Sequence, residues 1–199
     1  PEIVDNSTSE KAGIDKLSKS APYLLGLVAL FAYVAAQTGV NSFFINYVTE
    51  ASSTITNQQA ALMLSFGGMG FFLVGRLLGT WLMNYLSAPR LLMICAVGAM
   101  ICMIGVICGG TVGLISLIVT YLFESIMFPT IFALALQGLS TSATKRGSSY
   151  LIMTVVGGAI APMLMGYIGE NNMAIGFIIP LVCYLVVATY AKKIKKTYE

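Results

Sequence analysis

The sequence predicts an all-α membrane protein, a bundle of six transmembrane helices, and three observations carry that prediction. Of 199 residues, 57% are apolar and only 10% are charged, against roughly 25% charged residues in an average soluble domain. The apolar residues come in runs of about 20, the length at which a helix crosses a bilayer. The lysines and arginines gather at alternate connections between those runs, as a multi-pass protein requires.

Composition also excludes several classes. Histidine is absent, and Cys95, Cys102, Cys108 and Cys183 all fall inside apolar runs with no CxxC pair. No metal site, cofactor or disulfide framework is expected, since buried cysteines of this kind behave as small hydrophobes. The net charge of +3 describes a membrane rim and not a nucleic-acid surface. Residues 1–20 lack the apolar stretch and cleavage site of a signal peptide. Because the chain opens on Pro1 and not methionine, it reads as a processed or separated piece of something longer.

Pro1–Ser20 mixes Lys11, Lys16 and Lys19 with acids and small polar residues, a composition too polar for a packed core, and is expected to be a cytoplasmic linker or tail. The first helix is expected at about 21–48, with Pro22 in its first turn, where the missing amide hydrogen costs least. The second, about 57–86, opens on Thr56 and Gln59 at capping-box spacing. It ends at Ser87-Ala88-Pro89, a turn that demands an antiparallel neighbour. The third covers about 90–108, and Gly109-Gly110-Thr111 reverses the chain into the fourth, about 112–136. A loop with Lys145 and Arg146 leads to the fifth, about 148–168. Glu170-Asn171-Asn172 turns the chain into the sixth, about 173–191, and 192–199 is expected to form a basic cytoplasmic tail. The bundle proper is 21–191.

All eleven basic residues fall on one side of this topology. The three connections on the other side hold Glu50 and Glu170 but no lysine or arginine. The positive-inside rule therefore puts both termini in the cytoplasm, and the terminal Lys-Lys-Ile-Lys-Lys serves as an anchor at the anionic headgroups of the bilayer.

Few polar residues lie at membrane depth. Glu124 is near the middle of the fourth helix, where an ionised carboxylate costs about 2.5 to 3.5 kcal/mol. It faces protein or water, or carries a proton. Two roles are open for it: a proton-titrating or substrate-binding group, or a structural glutamate bonded to a neighbouring helix. Tyr33, Gln37 and Asn41 step along one face of the first helix. Two amides and a phenol suit a neutral polyhydroxylated ligand such as a sugar, and the same amides also serve as interhelical glue. Each of these helices opens a set of three, which points to a three-plus-three repeat with its site near the midplane.

Glycines give a further signal. Gly67, Gly68, Gly70, Gly75 and Gly79 lie in the second helix, and Gly157, Gly158 and Gly166 lie in the fifth together with Pro162. Small residues let helices approach closely, while Pro162 in the fifth and Pro129 in the fourth free a carbonyl one turn earlier. Gly157, Gly158, Pro129 and Pro162 are thus candidates either for close packing or for a hinge. Arg76, towards the cytoplasmic end of the second helix, can snorkel.

Several stretches resemble a known family. They are Tyr33-Val34-Ala35-Ala36-Gln37-Thr38-Gly39, Phe44-Ile45-Asn46-Tyr47, Gly75-Arg76-Leu77-Leu78-Gly79-Thr80-Trp81-Leu82, Phe128-Pro129-Thr130-Ile131-Phe132, and Lys145-Arg146-Gly147-Ser148-Ser149 leading into Val156-Gly157-Gly158-Ala159-Ile160. In order, they are similar to the C-terminal half of the fucose–galactose–glucose:proton symporters of the major facilitator superfamily. The resemblance implies one half of a twelve-helix inner-membrane transporter that is not an enzyme. Pro1–Ser20 would then be part of the loop joining the halves, and the partners a neutral sugar, protons and an N-terminal six-helix half in the same or a separate chain. It implies that the first and fourth helices line a sugar cavity that the second and fifth close. On this basis Tyr33, Gln37, Asn41 and Glu124 are expected to face the sugar, with Asn46 and Phe128 as outer contacts and Arg76 at a cytoplasmic gate. The family's principal proton-coupling carboxylates belong to the N-terminal half, and an acid at Glu124 is not among its hallmarks. A homodimerising half-transporter and a non-transporting scaffold are the alternatives.

Overall fold

The computed structural model describes residues 20–198; the expected linker, with Lys11, Lys16 and Lys19, lies outside the described residues. Six helices long and apolar enough to cross a membrane follow one another: α1 (Ala21–Ala51), α2 (Asn57–Leu82), α3 (Ala88–Cys108), α4 (Gly110–Leu136), α5 (Thr141–Ile168) and α6 (Met173–Lys196). They pack in two layers. The front layer runs α2, α4, α1, α5, each against the next, while α3 and α6 pack on each other behind it. α3 supports α4, and α6 supports α1.

The ends form where the residues dictate. Pro22 sits in the first turn of α1. Thr56 caps α2 through the expected box, Gln59 N donating to Thr56 Oγ1 at 3.3 Å and Thr56 N to Gln59 Oε1 at 2.9 Å. Gly109 and Gly110 reverse the chain between α3 and α4 with φ of 75° and 64°, a region that glycine enters without steric cost. Asn172 accepts from Ala174 N at the head of α6, and Glu50, just short of the end of α1, accepts from Met173 N at 3.1 Å.

The helices are less regular than the apolar runs predict. α2 contains a π-helical turn, Met63–Gly68, and stops at Leu82 and not at 86. α4 breaks at Ser125–Ile126, because Pro129 has no amide to donate to Ser125 C=O; Thr130 donates both its hydroxyl (2.7 Å) and its amide (3.3 Å) to Ile126 O just beyond. α6 is interrupted at Phe177 for the same reason, since Pro180 cannot serve Gly176 C=O. α5 starts at Thr141, seven residues before the expected start. Its first turns, with Lys145 and Arg146, are polar and escape a reading based on hydropathy. They are held in part by Ser148 Oγ donating to Thr144 O at 2.8 Å. A 3-10 turn at Thr154–Val156 follows. The last helix continues to Tyr198, so 192–198 is helical, as lysine is a good helix former.

α1 is the central post. Of its apolar window 61% is buried, against 11% for α2 and 28% for α5. Three buried tyrosines along it each donate to a backbone carbonyl of a different neighbour. Tyr23 reaches Gly147 O of α5 at 3.0 Å, Tyr33 reaches Glu124 O of α4 at 2.9 Å, and Tyr47 reaches Val106 O of α3 at 2.7 Å. The front layer is closed by glycines used in equivalent ways. A Cβ on Gly75 or Gly79 of α2 would stand 2.6 Å from Ser125 Oγ or Ile126 Cδ1 of α4. A Cβ on Gly157 or Gly158 of α5 would stand 2.7 Å from Phe31 O or Thr38 Oγ1 of α1. Both pairs are therefore close-packing contacts, α2 on α4 and α5 on α1, as a three-plus-three arrangement requires.

Candidate functional site

The break in α4 lies against the middle of α1, and the polar residues of both helices meet there. Tyr33 is fully buried and holds Glu124 O. One turn on, Gln37 is half-buried, its side chain against the Tyr33 hydroxyl. One turn further, Asn41 is half-buried; its amide donates to Gln37 O at 3.0 Å, and its Oδ1 accepts from Tyr121 of α4 at 3.0 Å. The (i, i+4) spacing that put these three on one stripe thus also brings Tyr33 and Asn41 to one neighbour, α4.

Aromatic rings line the next turn of α4. Phe128 is half-buried, its ring 6.2 Å from Tyr33 and stacked at 6.2 Å and 17° on Phe132. The half-buried amides of Gln37 and Asn41 add hydrogen-bonding groups beside these apolar ring faces.

Glu124 occupies a different environment from the amides. It is the last residue before the break and is fully buried. Its Oε1 accepts a hydrogen bond from the Tyr184 hydroxyl of α6, and its Oε2 has no hydrogen-bond partner among the described residues. The carboxyl is thus directed to the rear layer, while the Glu124 backbone carbonyl accepts from Tyr33.

The remaining expected residues fall into two groups. Arg76 is exposed and lines a groove of about 400 Å³ with Thr80, Ile126, Pro129 and Thr130, so it stands beside the α4 break. Asn46 is exposed, further along α1, and outside the cluster. Gly157 and Gly158 lie where α5 crosses α1, and Pro162 follows them in α5. Among the described residues no group of three metal-ligating side chains converges.

The sequence reading missed Tyr121, Phe132 and Tyr184. Tyr121 precedes Glu124 by three residues and Phe132 follows Phe128 by four, so helical spacing alone places each beside a candidate already named. Tyr184 carries no such signal, because its relation to Glu124 exists only once α6 is packed behind α4.

No family model matches the chain. It is 35% identical over 196 residues to the L-fucose-proton symporter of Escherichia coli, covering 94% of this chain and 44% of that protein. It is 35% identical over 193 residues to the glucose/galactose transporter of Brucella abortus, covering 94% and 46%. The fold agrees. A crystal structure of the E. coli fucose:proton symporter superposes with a TM-score of 0.87 at 34% identity over 92% of this chain and 45% of that one. The chain is homologous to half of a sugar:proton symporter. This half-symporter homologue superposes equally well on a major facilitator superfamily transporter solved in the outward conformation, so its six helices form one half of that fold. The chain spans about half the length of the curated relatives it matches.

Proposed function

We propose that the chain is the C-terminal half of a proton-coupled symporter for a neutral hexose or deoxyhexose, working by alternating access. The observation that carries this reading is the joint agreement of sequence and fold with the fucose and glucose/galactose transporters over 92–94% of the chain. The polar cluster supports it. Gln37 and Asn41, with the Phe128 and Phe132 rings and the Tyr33–Glu124 junction behind them, form a neutral, hydrogen-bonding, aromatic wall at mid-membrane. Asn46 is an outer contact, and Arg76 gates the cytoplasmic end of the path beside Pro129. The poorly covered faces of α2 and α5 are where the N-terminal half packs, and the bending points are the interruptions near Pro129 and Pro162. In this reading both termini lie on the cytoplasmic side of the inner membrane, an orientation that the one-sided basic residues support.

The test is uptake of fucose, galactose and glucose into proteoliposomes holding the full-length protein, with and without an inward proton gradient. Accumulation of one of these sugars that collapses without the gradient is expected. Uptake of none of them would remove the substrate assignment and favour a scaffold. Cross-links joining two copies of this chain through α2 and α5 would replace the N-terminal half with a dimer.

A further inference from the structure

We propose that Glu124 binds and releases a proton during the transport cycle, so that this half carries a proton site of its own at the break in α4. The inference rests on the transport reading above for its cycle, but on geometry for its site.

Glu124 is fully buried and ends the first segment of α4 at the Pro129 break. Among the described residues its neighbours are neutral: the Tyr33 phenol of α1, Tyr121 of α4 itself, the Cys102 thiol of α3 and Tyr184 of α6. Thr120, on the preceding turn, gives its hydroxyl to Ser116 O. Arg76 of α2 is the nearby cation; its side chain is exposed and lines the groove beside the break with Pro129 and Thr130. A buried carboxyl among phenols and one thiol, with no cation against it among the described residues, holds a proton in preference to a charge.

A purely structural role fits the site poorly. The carboxyl offers two oxygens, and the protein satisfies one of them, through Tyr184, leaving Oε2 buried without a partner. A methionine would fill a similar space without a buried unpaired oxygen. An acid becomes useful here if its proton can leave. When the break in α4 opens and water reaches Oε2, the O–H bond gives its proton to that water and the Tyr184 hydroxyl continues to donate to the carboxylate. No electron changes hands.

The site is also connected to the sugar wall. Tyr33 touches both ends of the link, with its hydroxyl on Glu124 O and the Gln37 side chain beside it. A sugar that draws on Gln37 shifts Tyr33, and Tyr33 holds the backbone on which the carboxyl is mounted.

The experiment is infrared difference spectroscopy of the full-length protein in lipid, followed by uptake with and without a proton gradient. In the wild type, the carbonyl stretch of a protonated acid is expected. It should be absent in Glu124→Gln, move to higher frequency in Tyr184→Phe, and diminish as pH is raised from mildly acidic to mildly alkaline or as sugar is added. In Glu124→Gln the ratio of gradient-driven to gradient-free uptake is expected to fall. Identical acid bands in wild type and Glu124→Gln would overturn the proposal, as would a Glu124 band indifferent to both pH and sugar, or an uptake ratio unchanged in Glu124→Gln. If the wild type moves no sugar, the transport reading fails while the pH dependence of the band still decides the proton site. If Glu124→Gln does not fold, the shifted band in Tyr184→Phe serves as the assignment.

Discussion

Replacing Tyr184 with phenylalanine isolates the contact between α4 and α6. The ring stays and only a hydroxyl is lost, so no cavity forms and the cost is that of the hydrogen bond to Glu124 Oε1. Interhelical hydrogen bonds in membranes average about 0.6 kcal/mol and reach about 1.7. Here the loss strands the second oxygen of a fully buried carboxyl whose other oxygen already lacks a partner, which points to the upper end, about 1 to 2 kcal/mol. The cycle with Glu124→Leu makes the test specific. Once the carboxyl is gone, Tyr184→Phe is expected to cost close to nothing, giving a coupling of about 1 to 2 kcal/mol between the two sites. The assay is denaturant-induced unfolding of the full-length protein and its three variants in one detergent. Equal losses from Tyr184→Phe in both backgrounds would refute the reasoning, since independent residues add.

Gly75→Val and Gly157→Val are each expected to lower thermal stability by about 1 to 3 kcal/mol through overpacking, because a Cβ at either position meets another helix's backbone, Leu122 or Phe31. Gly70→Ala, whose Cβ would meet nothing within 4 Å, is the control and should hold stability or raise it by up to about 1 kcal/mol, as a thermal-shift comparison would show. Gln37→Ala should weaken sugar binding about tenfold, the value of one good hydrogen bond, with melting unchanged. Asn41→Ala should reduce both, because Asn41 also ties Tyr121 of α4; calorimetric titration beside melting curves separates the two. Pro129→Ala restores the amide missing from the α4 break, and is expected to raise the melting temperature while slowing sugar exchange.

The six spans were legible because lipid imposes one rule on all of them, an apolar run of sufficient length. Interruptions within the spans were harder to read. Pro129 was recognised as a hinge candidate, yet Pro180 has the same effect on α6 and lies within a run that hydropathy treats as uniform. The early start of α5 was hidden by its own polarity, since Thr141–Ser149 looks like a loop to any measure of apolar length. At the site, the stripe of Tyr33, Gln37 and Asn41 followed from spacing on a single helix. The direction of the Glu124 carboxyl did not. Which neighbour receives a side chain depends on the rotation of α4 about its axis, and that is fixed by Gly75 and Gly79 of α2 on one side and by Tyr33 on another.

The three α1 tyrosines end on peptide oxygens and not on side chains. Every residue type offers that acceptor, so the ties themselves do not depend on which side chain stands at Gly147, Glu124 or Val106. Evolutionary drift in α3, α4 and α5 can thus remodel whatever those helices present to a solute while the register of the bundle is kept by three phenols on a single segment. A designer seeking new specificity would leave Tyr23, Tyr33 and Tyr47 alone and vary the solute-facing positions of the helices they hold.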